Sequence, residues 1–148
     1  IKITEIILHD KKGQPKENFD ITQPIGITFT YEILNDGLRF IEGINLYNET
    51  GINIFDSHNV FCKFKDTERQ KGIYKSTVWI SENLLPEGIF TIGFALFNTD
   101  PFTVFFHEKE LLSFNVYDNI NGDSARGSYS GPFPGIVRPL LDWDIERL

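Results

Sequence analysis

Three histidines (His9, His58, His107), one cysteine (Cys62) and scattered carboxylates are the residues of this chain that could carry acid–base, nucleophilic or metal chemistry. None stands at a spacing that such chemistry uses. No histidines form an HExxH or HxH pattern, and the chain lacks a GxSxG elbow, a Walker A loop and GxGxxG. Cys62, in VFCKF, alternates with apolar neighbours and reads as a small buried hydrophobe. DNINGD, residues 118–123, opens like a calcium loop with oxygen ligands at alternate positions. The position where such a loop needs its bidentate Glu is Tyr129, so its Asn, Asp and Gly read as turn formers. A glycoside-cleaving pair of carboxylates would flank a groove at about 5–10 Å. Glu42, Asp100 and Glu108 are the nearest candidates, and none has an identifiable partner. The chain therefore reads as non-enzymatic, with no cofactor and no metal ligands.

Binding chemistry is better represented. In GIFTIGFALF, Phe90, Ile92, Phe94 and Leu96 alternate as an inward set, leaving Thr91, Gly93, Ala95 and Phe97 outward. Outward strand positions usually carry long polar side chains, so Gly93 and Ala95 leave either a low floor or room for a partner strand or helix. With Ile44 and Leu46 inward, the strand near 39–48 presents Asn45 and Tyr47. With Leu112, Phe114 and Val116 inward, the strand near 110–118 presents Ser113, Asn115 and Tyr117. Asn45, Tyr47, Thr91, Phe97, Asn115 and Tyr117 would then share one face. Aromatic rings that stack on C–H faces, beside amides that pair with hydroxyls, suit a sugar. Arg39 and Lys75 are second-rank candidates that could meet an acidic group. Trp79, outward on 72–81, is a third, expected on the opposite sheet.

The elements that must position these residues are strands. The chain has 148 residues, enough for one domain with a sizeable core, and contains 14 Phe and 5 Tyr but only two Ala, Ala95 and Ala125. IGITFTYEI alternates Ile25, Ile27, Phe29, Tyr31 and Ile33 against Gly26, Thr28, Thr30 and Glu32. Strands are predicted near 1–9, 25–33, 39–48, 51–56, 72–81, 88–98 and 110–118, with weaker ones near 18–21, 60–65, 102–107 and 136–143. NETG, 48–51, is a hairpin turn, and DTERQK, 66–71, could form a short helix. Many short strands with frequent turns predict an immunoglobulin-like antiparallel β-sandwich. Residues 1–118 form its core. The Gly- and Pro-rich 119–134 is a linker arm, and 135–148 a terminal strand within the same single domain. That strand carries Ile136, Val137, Leu140, Leu141 and Trp143, an apolar set that needs a surface to cover it. Exchange with a second copy after a long hinge, or folding back onto its own sheet, would supply one.

The formal charge of −7 speaks against nucleic acid or an anionic membrane as main partner, since both favour Lys and Arg clusters. No apolar run approaches the roughly 20 residues of a membrane span. One cysteine excludes an internal disulfide framework. The absence of Met is expected for a piece of a longer or processed protein.

Taken in order, G-I-x-L followed by a turn and G-x-x-I-F (Gly43, Ile44, Leu46, Gly51, Phe55), L-x-x-G-x-F (Leu85, Gly88, Phe90) and the final G-[IV]-V…W (Gly135, Val137, Trp143) resemble a known family. It is the C-terminal domain of the ATP-binding subunit of ABC transporters that export O-antigen polysaccharides (Wzt type). Phe90 replaces the commoner Tyr, and Arg138 stands in the last strand. The resemblance implies a carbohydrate-binding module, without catalysis, that recognises the non-reducing end of the glycan and couples it to export. It implies a cytoplasmic location at the inner membrane, an ATPase domain upstream of Ile1 and a transporter membrane subunit as partner. It also implies a homodimer in which the last strand crosses over. An immunoglobulin-like protein-interaction or adhesin domain without glycan binding is the alternative.

Overall fold

In the computed structural model, which describes residues 1–148, the chain forms eight strands and no helix. They are β1 (Lys2–His9), β2 (Asn18–Asp20), β3 (Ile25–Ile33), β4 (Ile41–Tyr47), β5 (Asn53–His58), β6 (Gly72–Ile80), β7 (Gly88–Thr99) and β8 (Phe102–Tyr117). A three-stranded sheet runs β1-β3-β6 and a five-stranded sheet runs β2-β8-β7-β4-β5. β2 joins β8 in parallel, and the other pairs are antiparallel. The sheets close on each other over a core of 19 residues. The alternation predicts its membership. Ile25, Ile27, Phe29, Tyr31 and Ile33 are buried, as are Phe90, Ile92, Phe94 and Leu96. Phe29 and Phe94 stack across the sandwich with ring centroids 3.9 Å apart.

β7 lies between β4 and β8, the placement that puts the outward sets of the three strands on one face. The β4–β5 turn is held by Asn48, whose Oδ1 accepts from the backbone N–H of Thr50 and of Ile52. Gly51 follows at φ +79°, a conformation that side chains disfavour. At the corner before β7, Leu85 and Phe90 are buried. Phe90 stacks on Phe114 at 5.7 Å, so the ring is used wholly for packing and a hydroxyl is not required.

Several expected elements differ. The strands at 102–107 and 110–118 are one, β8, interrupted by bulges that let it bend without ending. Residues 60–65 form turns, because Val60 and Phe61 point to solvent and no neighbouring edge pairs with them. The helix at 66–71 is also absent. Arg69 instead bridges in antiparallel fashion to Leu38 and drives its side chain into the sandwich. Residues 136–143 form no strand within this chain.

Arg69 organises one end of the core. Its guanidinium donates to the Tyr31 hydroxyl (3.1 Å), to the Phe40 carbonyl (3.2 Å) and to Glu42 Oε1 (3.3 Å). Tyr31 donates to the same carboxyl oxygen at 2.6 Å, and Asn59 to the other at 3.1 Å. The rings of Phe40 and Phe64 lie 4.5 and 4.7 Å from the guanidinium carbon. Burial, then the bond to Glu42 and its charge, raise the Tyr31 phenol well above its ordinary pKa. Cys62 is half-buried rather than buried, because its sulfur faces this cluster and accepts from the Phe64 N–H at 3.4 Å.

The arm after β8 is folded against its own sandwich. Asp118, Ser124, Arg126 and Arg138 form a polar knot with Glu87. Asp118 Oδ2 accepts from Arg138 at 2.7 Å and Arg126 at 3.3 Å, and Asp118 Oδ1 accepts from Ser124 at 2.5 Å. Arg138 also pairs with Glu87 and lies over the Phe133 ring, and its backbone N–H donates to Leu84 O at 2.7 Å. Burial pushes the pKa of Asp118 and Glu87 up, but the bonds from Ser124, Arg138 and Arg126 to Asp118, and from Arg138 to Glu87, outweigh it. Both carboxyls titrate below their ordinary values. A depressed folded pKa gives stability that is fully present above the unfolded value and lost as pH falls through the folded one. Amide hydrogen exchange across 119–138, corrected for intrinsic rates, is therefore expected to stay constant from pH 7 to 5. It should rise only below the carboxylate range of about 4. Release already at pH 6 would contradict this.

Candidate functional site

The outer face of the five-stranded sheet collects the predicted binding residues in rows set by register. Gly43 stands opposite His58 of β5 and Ala95 of β7, and Ala95 opposite His107 of β8. Two residues along, Asn45 faces Asp56 and Gly93, followed by Tyr47 beside Thr91 and Thr91 beside Ser113. Further along, Asn115 pairs with Ile89, and Tyr117 sits beside Asp20 of β2.

The first rows form a connected polar array. Asn45 Nδ2 donates to Asp56 Oδ1 at 2.6 Å, and Asn53 Nδ2 donates to the same oxygen at 2.9 Å. An ionised carboxylate only accepts, so it fixes the Asn45 amide with its carbonyl toward His107. His107 Nε2–H donates to that carbonyl at 3.1 Å. The Asn45 bond, against an opposing effect of burial and with help from Asn53 and the nearby His58 and His107, holds the Asp56 carboxyl below its ordinary range. The second Asp56 oxygen, one Asn45 N–H and His107 Nδ1 are left for a ligand. Thr91 and Ser113 pair their hydroxyls at 3.2 Å. A cavity of about 470 Å³ adjoins them, lined by Tyr47, Glu49, Ile89, Thr91, Lys109 and Glu110 among others. That is within the usual size range for small-molecule sites.

The floor at Gly43 and Gly93 is packed rather than open. Phe97 is buried, because its ring packs against His58 at 4.8 Å in the space left by Gly43. A Cβ on Gly93 would come within 2.8 Å of Glu108 O and 2.9 Å of Lys109 Cα, so the bulged backbone of β8 covers this position. Gly93 is a glycine for close strand approach. Gly93→Ala is expected to cost about 1–3 kcal/mol, read from the urea midpoint, since neither backbone atom can swing away. An unchanged midpoint would contradict that packing.

Asn45, Tyr47 and Thr91 are thus brought together, while Asn115 and Tyr117 lie at the far end of the face. Trp79 is on β6 of the opposite sheet, half-exposed and edge-on to His9 at 5.1 Å. Lys75 shares that strand, and Arg39 faces Glu68 at 3.6 Å, so neither cation reaches the trough. Glu42 points between the sheets into the Arg69 cluster rather than into the trough. Asp56 and Asn53 are not among the residues that the sequence singles out, and it offers His58 and His107 only as scattered histidines. Counting back from the 48–51 turn sets Asn45 opposite Ile54, and the irregular pairing beside that turn brings Asp56 there instead. No sequence signal announces the bulges that bring His107 to Ala95.

DNINGD folds as turns: Asn119 Oδ1 accepts from the Asn121 N–H at 3.2 Å and Asn121 Oδ1 from the Asp123 N–H at 3.3 Å.

No curated protein matches the chain. A solved structure described as the crystal structure of the C-terminal domain of wzt superposes with a TM-score of 0.73 at 12% identity, covering 99% of this chain and 83% of that one. At that identity the likeness speaks for the all-β sandwich. The family model of the Wzt C-terminal domain matches residues 1–138, ending at the arginine that anchors the arm. The chain belongs to the Wzt C-terminal domain family.

Proposed function

We propose that this domain is a non-catalytic carbohydrate-binding module that holds an O-antigen polysaccharide on the outer face of its large sheet. Family membership supports a carbohydrate-binding role in O-antigen ABC transport. The observation that carries the assignment to this face is the Asp56–Asn45–His107 array beside the Tyr47 cavity. Donors and acceptors there are fixed before a ligand arrives, which lowers the ordering cost of binding. Tyr47 supplies a ring for C–H stacking, and Thr91 and Ser113 supply hydroxyls.

Recognition of the non-reducing end is the finer reading, which the family resemblance implies; Lys109 and Glu110 of the β8 bulge line the cavity where that end would sit. The domain would act at the cytoplasmic face of the inner membrane, coupled through an upstream ATPase domain to the transporter's membrane subunit. No helix is long and apolar enough to cross a membrane. A homodimer with an exchanged terminus agrees with the exposure of Leu140, Leu141, Trp143 and Ile145. Exchange would begin after Arg138, which is anchored to its own protomer, rather than at 135.

Tyr47→Ala is expected to weaken polysaccharide binding about tenfold in a calorimetric titration, equivalent to about 1.4 kcal/mol. Tyr117→Ala, at the far end, should weaken it less. Normal binding by both folded variants would mean that the wrong face has been chosen.

A further inference from the structure

The sandwich is open along the side where β5 and β6, the free edges of the two sheets, run past each other. Ser57 of β5 stands opposite Ile44 and Ser76 of β6 opposite Phe29, both inward positions that elsewhere on these sheets are apolar. The two serines line one cavity of about 190 Å³, together with the stacked pair Phe29 and Phe94, and with Glu42, His58 and Asn59. A second cavity of about 280 Å³ continues from it past Ser76 toward Lys75. Glu42 closes the end of the first, its charge already met by Tyr31, Arg69 and Asn59, so it serves as a fixed acceptor rather than as a free anion.

We propose that this lateral notch between Ser57 and Ser76 is a second binding site, for a single neutral sugar ring or similar polyol. Its chemistry is hydroxyls, one amide and one neutralised carboxylate beside the buried Phe29–Phe94 stack, which pairs with a small ring bearing several hydroxyls. A free anion would meet Glu42, and a hydrophobe would leave the serines unpaired. His58 joins the notch to the outer face, since its ring touches both the cavity and Phe97. A glycan lying across Asn45 and Asp56 can therefore turn over the β5 edge and place one residue between the sheets. The assignment rests on the glycan-binding reading above.

The test is a titration of the isotope-labelled chain with O-antigen polysaccharide from its own strain, followed by amide chemical shifts. The expected result is that the amides of Ser57, Ser76 and Thr77 shift along with those of Asn45, Tyr47 and Thr91. Ser57→Ala and Ser76→Val, checked for native shift dispersion, should each lower affinity about three- to tenfold, the fold-change of one lost hydrogen bond. Shifts confined to Asn45, Tyr47 and Thr91, with both variants binding normally, would overturn the notch and leave the outer-face site standing. No shift at either place would overturn both.

Discussion

Replacing Asp56 by alanine is expected to weaken O-antigen polysaccharide binding at least about tenfold while leaving the sandwich folded. Asp56 sits on the edge strand β5, exposed, so little core packing is lost with it. What is lost is the anchor of a chain of orientation. Asp56 fixes the amide of Asn45, and the Asn45 carbonyl fixes His107. Without the carboxylate the amide can flip, and the two donors and acceptors offered to a sugar become a mixture. A charge-assisted hydrogen bond contributes about 1.5–3 kcal/mol, about ten- to a hundredfold in affinity if it forms in the complex. Asp56→Asn should recover part of the loss, because its amide oxygen can still accept from Asn45. The measurement is a calorimetric titration of the three proteins beside their urea midpoints. Equal affinities in all three would remove this array from the site.

The largest effect on stability is expected at Arg69. Its side chain is 1% exposed and pairs with the buried Glu42 carboxylate at 3.3 Å. Arg69→Met keeps much of the apolar stem between Phe40 and Phe64 but leaves the Glu42 carboxylate buried without its cation. Breaking a buried pair from one side costs about 3–5 kcal/mol. Adding Glu42→Gln to Arg69→Met should return a large part of that cost, since the neutral amide can still accept from Tyr31. Urea unfolding of the two single variants and the double variant closes the cycle. Additive losses would show that the two residues act independently and that the cluster is incidental to the fold.

How much could be read beforehand divides along physical lines. Inward alternation in β3 and β7 follows from a period of two with one buried face, so the core was legible residue by residue. The order β4-β7-β8 follows from the immunoglobulin-like arrangement, which sets the strand at 88–98 between those at 39–48 and 110–118. The long strand β8 was read as two because Glu108, Lys109 and Glu110 look like a polar break. They belong to a bulge: Glu108 pairs with Phe94 and Leu112 with Ile92, while Lys109, Glu110 and Leu111 between them have no partner and the strand runs on. That bulge also decides between the two readings of Gly93, low floor or room for packing: backbone covers it. The terminal segment was read as a strand from its apolar residues. Apolar side chains without a partner edge within the chain make no ladder, and the one buried residue of that stretch is the charged Arg138. The three histidines looked unrelated because their meeting points are set by pairing between strands, which spacing along the chain does not encode. His58 and His107 end on one face, and His9 on the other sheet beneath Trp79.

The most direct measurement is a binding titration of the domain with lipopolysaccharide glycan from its own strain, beside an unrelated O-antigen and beside its own glycan with the non-reducing terminal group removed. The account predicts saturable binding to the first alone. Absence of binding to all three by a folded protein would contradict glycan recognition and turn the outer face into a protein interface. Equal binding to the native and trimmed glycans would contradict recognition of the end.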